Sequence, residues 1–134
     1  MGQKIELVGL DHFAINVRDL QISADWYQKA FGFEILHRWQ TTWMVGRGNI
    51  KVGLFYRPNA VAPPDLETVL VIKHIAFLVD GDKFAGAQHA LRDAGNSFGP
   101  AEDSGIAYSI FVSDPDNNQL EITTYHPAEA PVAT

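Results

Sequence analysis

Two stretches, LDHFAINV (Leu10 to Val17) and IKHIAFLV (Ile72 to Val79), decide how this chain is read. Each carries His-x-Ala followed by apolar residues at alternate positions, the period-two signature of a half-buried strand. Phe13, Ile15 and Val17 share one face, as do Ile75, Phe77 and Val79; that is the face expected to meet a helix. The opposite face carries His12 beside Ala14 in one stretch and His74 beside Ala76 in the other. A small neighbour leaves room at each imidazole.

The same order of elements follows each stretch. After the first, Asp19 is placed to cap a helix whose Leu20, Ala24, Tyr27 and Phe31 fall on one face, with Gly32 as its stop. After the second, Asp82 is the expected cap, Phe84, Ala87, Leu91 and Ala94 the buried stripe, and Gly95 the stop. Strand-like runs come next: Phe33 to Trp39, Thr41 to Gly46 and Ile50 to Tyr56 in the first copy. In the second they are a short strand near Asn96 to Phe98, then Ile106 to Ser113 and Asn118 to Tyr125. The last strands of the two copies share a framing Asn and Tyr. Turns at Arg47-Gly48-Asn49 and at Asp114-Pro115-Asp116-Asn117-Asn118 match in position.

Each half therefore reads β-α-β-β-β, and the fold class expected is α+β: two tandem βαβββ modules making a cup-shaped mixed sheet with helices on the outside. Module one is expected at about 7–57, a Pro-rich linker at about 58–69, module two at about 70–126, and a frayed tail from Pro127 to residue 134, all within one domain. At 134 residues the chain can bury a core without staples.

With 10 basic against 16 acidic residues, the net charge is −6. No Lys/Arg cluster is present, which argues against nucleic acid and anionic membranes as partners. Cysteine is absent, so disulfides, thiolate metal sites and a Cys nucleophile are excluded. MGQKIELVGL lacks the features of a signal peptide, and no run reaches a membrane span; a cytoplasmic enzyme is the default.

In NQLEITTY (Asn118 to Tyr125), Gln119, Glu121, Thr123 and Tyr125 share a face. A carboxylate in a sheet is costly unless paired or bound to metal. Two histidines at equivalent repeat positions and an inward Glu make His12, His74 and Glu121 a candidate triad of metal ligands. Two His and one carboxylate leave open positions for water or substrate, and suit Fe, Mn, Zn, Ni or Co alike.

At these residues the chain resembles the vicinal-oxygen-chelate superfamily of glyoxalases, extradiol dioxygenases, fosfomycin-resistance enzymes and bleomycin-binding proteins. The matching pieces are GLDHFAINVRDLQISADWYQKAFGFE, IKHIAFLV and SDPDNNQLEITTY, from about Val8 to Tyr125. The resemblance implies paired βαβββ modules, metal ligands at His12, His74 and Glu121, a divalent metal cofactor and a homodimer. The family's fourth ligand position falls near Val52 or Gly53, depending on register. A Tyr common ten residues before the last ligand in some relatives is Phe111 here.

The function expected is a metal-dependent enzyme that isomerises or ring-cleaves a small oxygenated substrate able to chelate the metal. Glu121 is the candidate catalytic group at the metal, and Tyr108 a candidate acid or hydrogen-bond donor beside it. Tyr56, Arg38, Phe111 and Tyr125 are the candidate substrate contacts. Two other readings are a fosfomycin-type enzyme that opens an epoxide and a metal-free protein that sequesters a ligand in an aromatic cup.

Overall fold

The computed structural model describes residues 2–125; His126 and the tail from Pro127 lie outside the described residues. The first module runs β1 (Phe13–Val17), α1 (Leu20–Phe31), β2 (Glu34–Arg38), β3 (Thr42–Arg47) and β4 (Ile50–Tyr56). The second runs β5 (Ile75–Leu78), a 3-10 turn (Gly81–Lys83), α2 (Phe84–Asp93), β6 (Glu102–Asp103), β7 (Tyr108–Ser113) and β8 (Gln119–Thr124). Each module forms one four-stranded mixed sheet, in the orders β1-β4-β3-β2 and β5-β8-β7-β6. In both, the first strand pairs parallel with the last and the remaining pairs are antiparallel. This is the cup fold of paired βαβββ modules.

The local causes are visible residue by residue. In β1, Ile15 and Val17 are buried while Ala14 and Asn16 are exposed, as the alternation requires. Asp19 caps α1, its carboxylate accepting from Ile22 N at 2.9 Å, a cap worth about 1 kcal/mol. Gly32 ends the helix at φ 71° with its N–H on Gln28 O, a left-handed position that glycine adopts without strain. Tyr27 from this helix is fully buried, with Val17, Val45, Val52 and Leu54. The core continues through Phe84, Leu91, Ile110, Leu120 and Ile122 of the second module.

Three local expectations are corrected. Asp82 does not cap α2. The chain at 80–83 winds into a 3-10 turn, closed by Lys83 N on Asp80 O at 2.9 Å, so Asp82 lacks the extended backbone that a cap needs; the helix begins at Phe84 with no side-chain cap. The short strand expected near Asn96 to Phe98 lies instead at Glu102–Asp103. Asn96 closes the end of α2, its backbone N and its Nδ2 both donating to Leu91 O, while its Oδ1 accepts from Trp26 Nε1 at 3.2 Å. The framing Asn and Tyr of the last strands are not equivalent. Ala14 pairs with Gly53 as Ala76 pairs with Glu121, so Tyr56 corresponds to Thr124. Gly53 therefore stands where the second module has its glutamate, and not Val52.

The SDPDNNQ run is the seam between modules. Asp114 is buried at the β7–β8 turn and accepts backbone N–H bonds from Asp116 (2.9 Å) and Asn118 (2.8 Å). The Asn118 side-chain amide donates to it at 2.9 Å and the Tyr27 hydroxyl of α1 at 2.8 Å. Asn117 sits at φ 67°, a conformation Asn tolerates better than most residues. Beside it, Asp116 accepts from Arg18 and from the Ser23 hydroxyl. The run thus docks the root of β8 onto the first module and sets where Glu121 emerges.

Candidate metal site and substrate cavity

His74 and Glu121 come together. His74 stands one residue ahead of β5, two before Ala76 and on the same face; Ala76 lies opposite Glu121 in the parallel ladder. Across this small side chain, His74 Nε2 approaches Glu121 Oε1 to 2.9 Å. Two ligands at right angles around an ion, with bonds of about 2.1 Å, would be about 3 Å apart. The pair therefore fits two positions of a divalent N/O site.

The antiparallel β7–β8 ladder places Phe111 opposite Glu121 and Ser109 opposite Thr123. The Phe111 ring meets His74 edge-on, centroids 5.6 Å apart. The Ser109 hydroxyl donates to Glu121 Oε2 at 2.9 Å and lies 2.9 Å from the Thr123 hydroxyl. Ser109, Phe111, Glu121, Thr123 and Tyr125 line a cavity of about 240 Å³ that also carries Glu102 and Asp103 and, among the described residues, no lysine or arginine; His74 does not line it.

His12 is held elsewhere. Its Nδ1 lies 2.7 Å from Asp11 Oδ2, and Lys51 Nζ lies 3.2 Å from Asp11 Oδ1. The hydrogen bond from His12, then that from Lys51, holds the Asp11 carboxyl below its usual range. In a neutral ring, an Nδ1–H donated to this carboxylate leaves Nε2 as the nitrogen able to ligate an ion, the arrangement that metal-binding histidines use. Both histidines border a larger cavity of about 720 Å³ between the β1 and β5 edges; Glu121 does not. Among the described residues, no group of three His, Cys, Asp or Glu could hold one ion. The structure unites two of the three expected ligands within one chain and leaves His12 apart.

Of the other expected residues, Phe111 and Tyr125 share the Glu121 cavity. Tyr108 does not. Strand alternation turns it to the other face of β7, where it pairs with buried Thr124 and packs against the core; the hydroxyl beside Glu121 is that of Ser109. Arg38 is exposed and paired with Trp43, its guanidinium 4.8 Å from that ring, on the face of the sheet that Trp43 shares with Leu54. A bulge between Ile35 and His37 leaves His37, not Arg38, in line with Met44 and Gly53. Tyr56 shares the parity of the buried Val52 and Leu54, away from Gly53. Ser109 was missed in the sequence; once β7 and β8 pair as a hairpin, its parity with Phe111 places it on the Glu121 face.

A model of the "Glyoxalase/Bleomycin resistance protein/Dioxygenase superfamily" matches residues 9–122. The chain belongs to this superfamily. Among curated relatives, it is 26% identical over 132 residues to a glyoxalase domain-containing protein of Mycosarcoma maydis, covering 95% of this chain and 74% of that one. It is 29% identical over 116 residues to the glutathione transferase FosA of Serratia marcescens, covering 87% and 80%. Among solved structures, a glyoxalase family protein of Enterococcus faecalis superposes with a TM-score of 0.76 at 23% identity, covering 87% of this chain and 97% of that one. That likeness shows the superfamily fold alone. Among the described residues, no helix is long and apolar enough to cross a membrane.

Proposed function

We propose that this superfamily member is a divalent-metal-dependent enzyme acting on a small oxygenated molecule, by isomerisation or ring cleavage. The observation that carries the reading is the convergence of His74 Nε2 and Glu121 Oε1 to 2.9 Å, with Glu121 lining the 240 Å³ cavity and His74 the 720 Å³ one. His74, Glu121 and His12 would hold the ion, which when bound supplies Lewis-acid stabilisation of charge developing on substrate oxygen. Phe111 and Tyr125 give the substrate an apolar wall, and Ser109 holds one oxygen of Glu121. In this reading Glu121 also serves as the proton acceptor.

The third ligand comes from a second copy of the chain in this reading. Residues ahead of β1 and β5 present exposed apolar side chains at equivalent places: Val8 and Leu70 are fully exposed, and Leu10 and Ile72 are 80% and 79% exposed. Val8 and Leu10 share the parity of His12, as Leu70 and Ile72 share that of His74, and apolar surface of this kind marks an interface. A homodimer covering both would bring His12 of one copy to His74 and Glu121 of the other.

Mixing tests this. His12→Ala and Glu121→Ala variants, each expected to be metal-free, are unfolded together and refolded. Heterodimers regain one intact site, giving about one metal per four chains. No recovery from a dimeric mixture would overturn the shared site.

A metal-free binding protein is the second reading. It is supported by the His74–Glu121 contact, which satisfies both groups without an ion. An epoxide-opening enzyme finds support in the FosA relative, but an acidic cavity without a cation suits a phosphonate poorly.

A further inference from the structure

We infer that Ser109 is a positioning residue that dictates which oxygen of Glu121 is offered to the ion; the inference rests on the metal reading above. Ser109 and Thr123 are nearly sealed from solvent, 8% and 7% exposed, although they lie on the cavity face of the sheet. Neither is needed there for packing, since the residues that fill the core from these strands, Ile110, Val112, Leu120 and Ile122, lie on the other face.

The hydrogen-bond arithmetic is directional. An ionised carboxylate only accepts, and a serine hydroxyl has one proton. The 2.9 Å contact to Glu121 Oε2 therefore uses the Ser109 proton. Thr123 Oγ1 lies 2.9 Å from Ser109 Oγ and 3.1 Å from the Tyr108 carbonyl oxygen, and its one proton serves one of these two acceptors at a time. The two Glu121 oxygens thus have separate roles: Oε2 is tied back to β7, and Oε1 faces His74 Nε2. Without the Ser109 hydroxyl, a half-buried carboxylate oxygen loses its donor, and the group is free to rotate either oxygen toward the imidazole.

Hydrogen-bonded partners behind a metal ligand commonly govern affinity by about 10–100-fold, and the same range is expected here. The experiment titrates Zn²⁺ and Mn²⁺ calorimetrically into chelator-treated wild type, Ser109→Ala, Ser109→Thr and Thr123→Val, with thermal melts of each metal-free protein. The expected result is a tenfold or greater loss of affinity in Ser109→Ala and recovery to within about threefold of wild type in Ser109→Thr. The metal-free melts of wild type and Ser109→Ala should agree within about 3 °C. Wild-type affinity in Ser109→Ala overturns the inference while leaving the metal reading intact. Equal weakening in Ser109→Ala and Ser109→Thr also overturns it, because a hydroxyl-specific role demands rescue. Absence of binding by wild type overturns both readings, and that result is seen in the wild-type titration alone.

Discussion

Replacing Tyr27 with Phe removes one hydroxyl and nothing else from the seam that places β8. That hydroxyl donates at 2.8 Å to Asp114, a buried carboxyl whose other donors come from Asn118 and Asp116. Burial pushes the phenol of Tyr27 up, well beyond its ordinary value, so it stays a donor at every workable pH. A hydrogen bond to a charged group contributes roughly 1.5–3 kcal/mol, and a neutral one about 1 kcal/mol. The cost of Tyr27→Phe should therefore depend on the charge of Asp114. Burial, the largest influence, raises the Asp114 pKa despite its hydrogen bonds, and the Tyr27 bond opposes that rise.

The sign follows from proton linkage. A carboxyl whose folded pKa is raised stabilises the fold fully below its unfolded pKa and loses that contribution as pH rises through the folded value. Tyr27→Phe raises the folded pKa further, so the variant loses more stability than wild type on the alkaline side. Urea unfolding at pH 4 and pH 8 should give a cost near 1 kcal/mol at the lower pH and about 2–3 kcal/mol at the higher. For a domain of this size, that is roughly 3–5 °C in Tm per kcal/mol. A cost below about 0.5 kcal/mol at both values, or one larger at pH 4, would mean that the Tyr27 hydroxyl does not support an ionised Asp114.

Glycine substitutions separate two positions that look alike in sequence. A Cβ at Gly46 would stand 2.2 Å from the Ile50 carbonyl oxygen, so Gly46→Ala should cost more than about 3 kcal/mol by chemical denaturation. At Gly53 it would meet Phe55 and Ala14 at 3.4 and 3.5 Å, so Gly53→Ala should change stability by less than about 1 kcal/mol. Gln88 is buried on α2, and among the described residues neither of its amide atoms has a partner; Gln88→Met should be neutral or raise Tm, since an unpaired buried amide costs about 1–3 kcal/mol. Chelation should lower the Tm of metal-loaded protein, and added metal should restore it in proportion to the logarithm of its concentration.

The architecture was legible because its signals are local and repeated. Alternation at Phe13-Ile15-Val17 and again at Ile75-Phe77-Val79, with the Asp19 cap and the Gly32 stop, needs no knowledge of distant contacts. What escaped was long-range. Asn96 reads as a strand residue until Trp26, 70 positions away, donates its Nε1–H to the side-chain Oδ1. Tyr108 reads as a hydrogen-bond donor beside Glu121 until the hairpin register gives that place to Ser109. The choice between Val52 and Gly53 was open in the sequence and is decided by the parallel pairing with β1. The histidines were found from their repeat spacing, but that spacing says nothing of whether they meet within one chain. The modules place His74 with Glu121 and leave His12 with Asp11 and Lys51.

The most direct test of the central claim is elemental analysis of the protein purified without chelator, beside a His74→Ala/Glu121→Gln variant carried through the same steps. About one divalent metal per chain is expected in the wild type and none in the variant, with the variant still folded by circular dichroism. Equal metal in both, or none in the wild type after reconstitution, would contradict the claim.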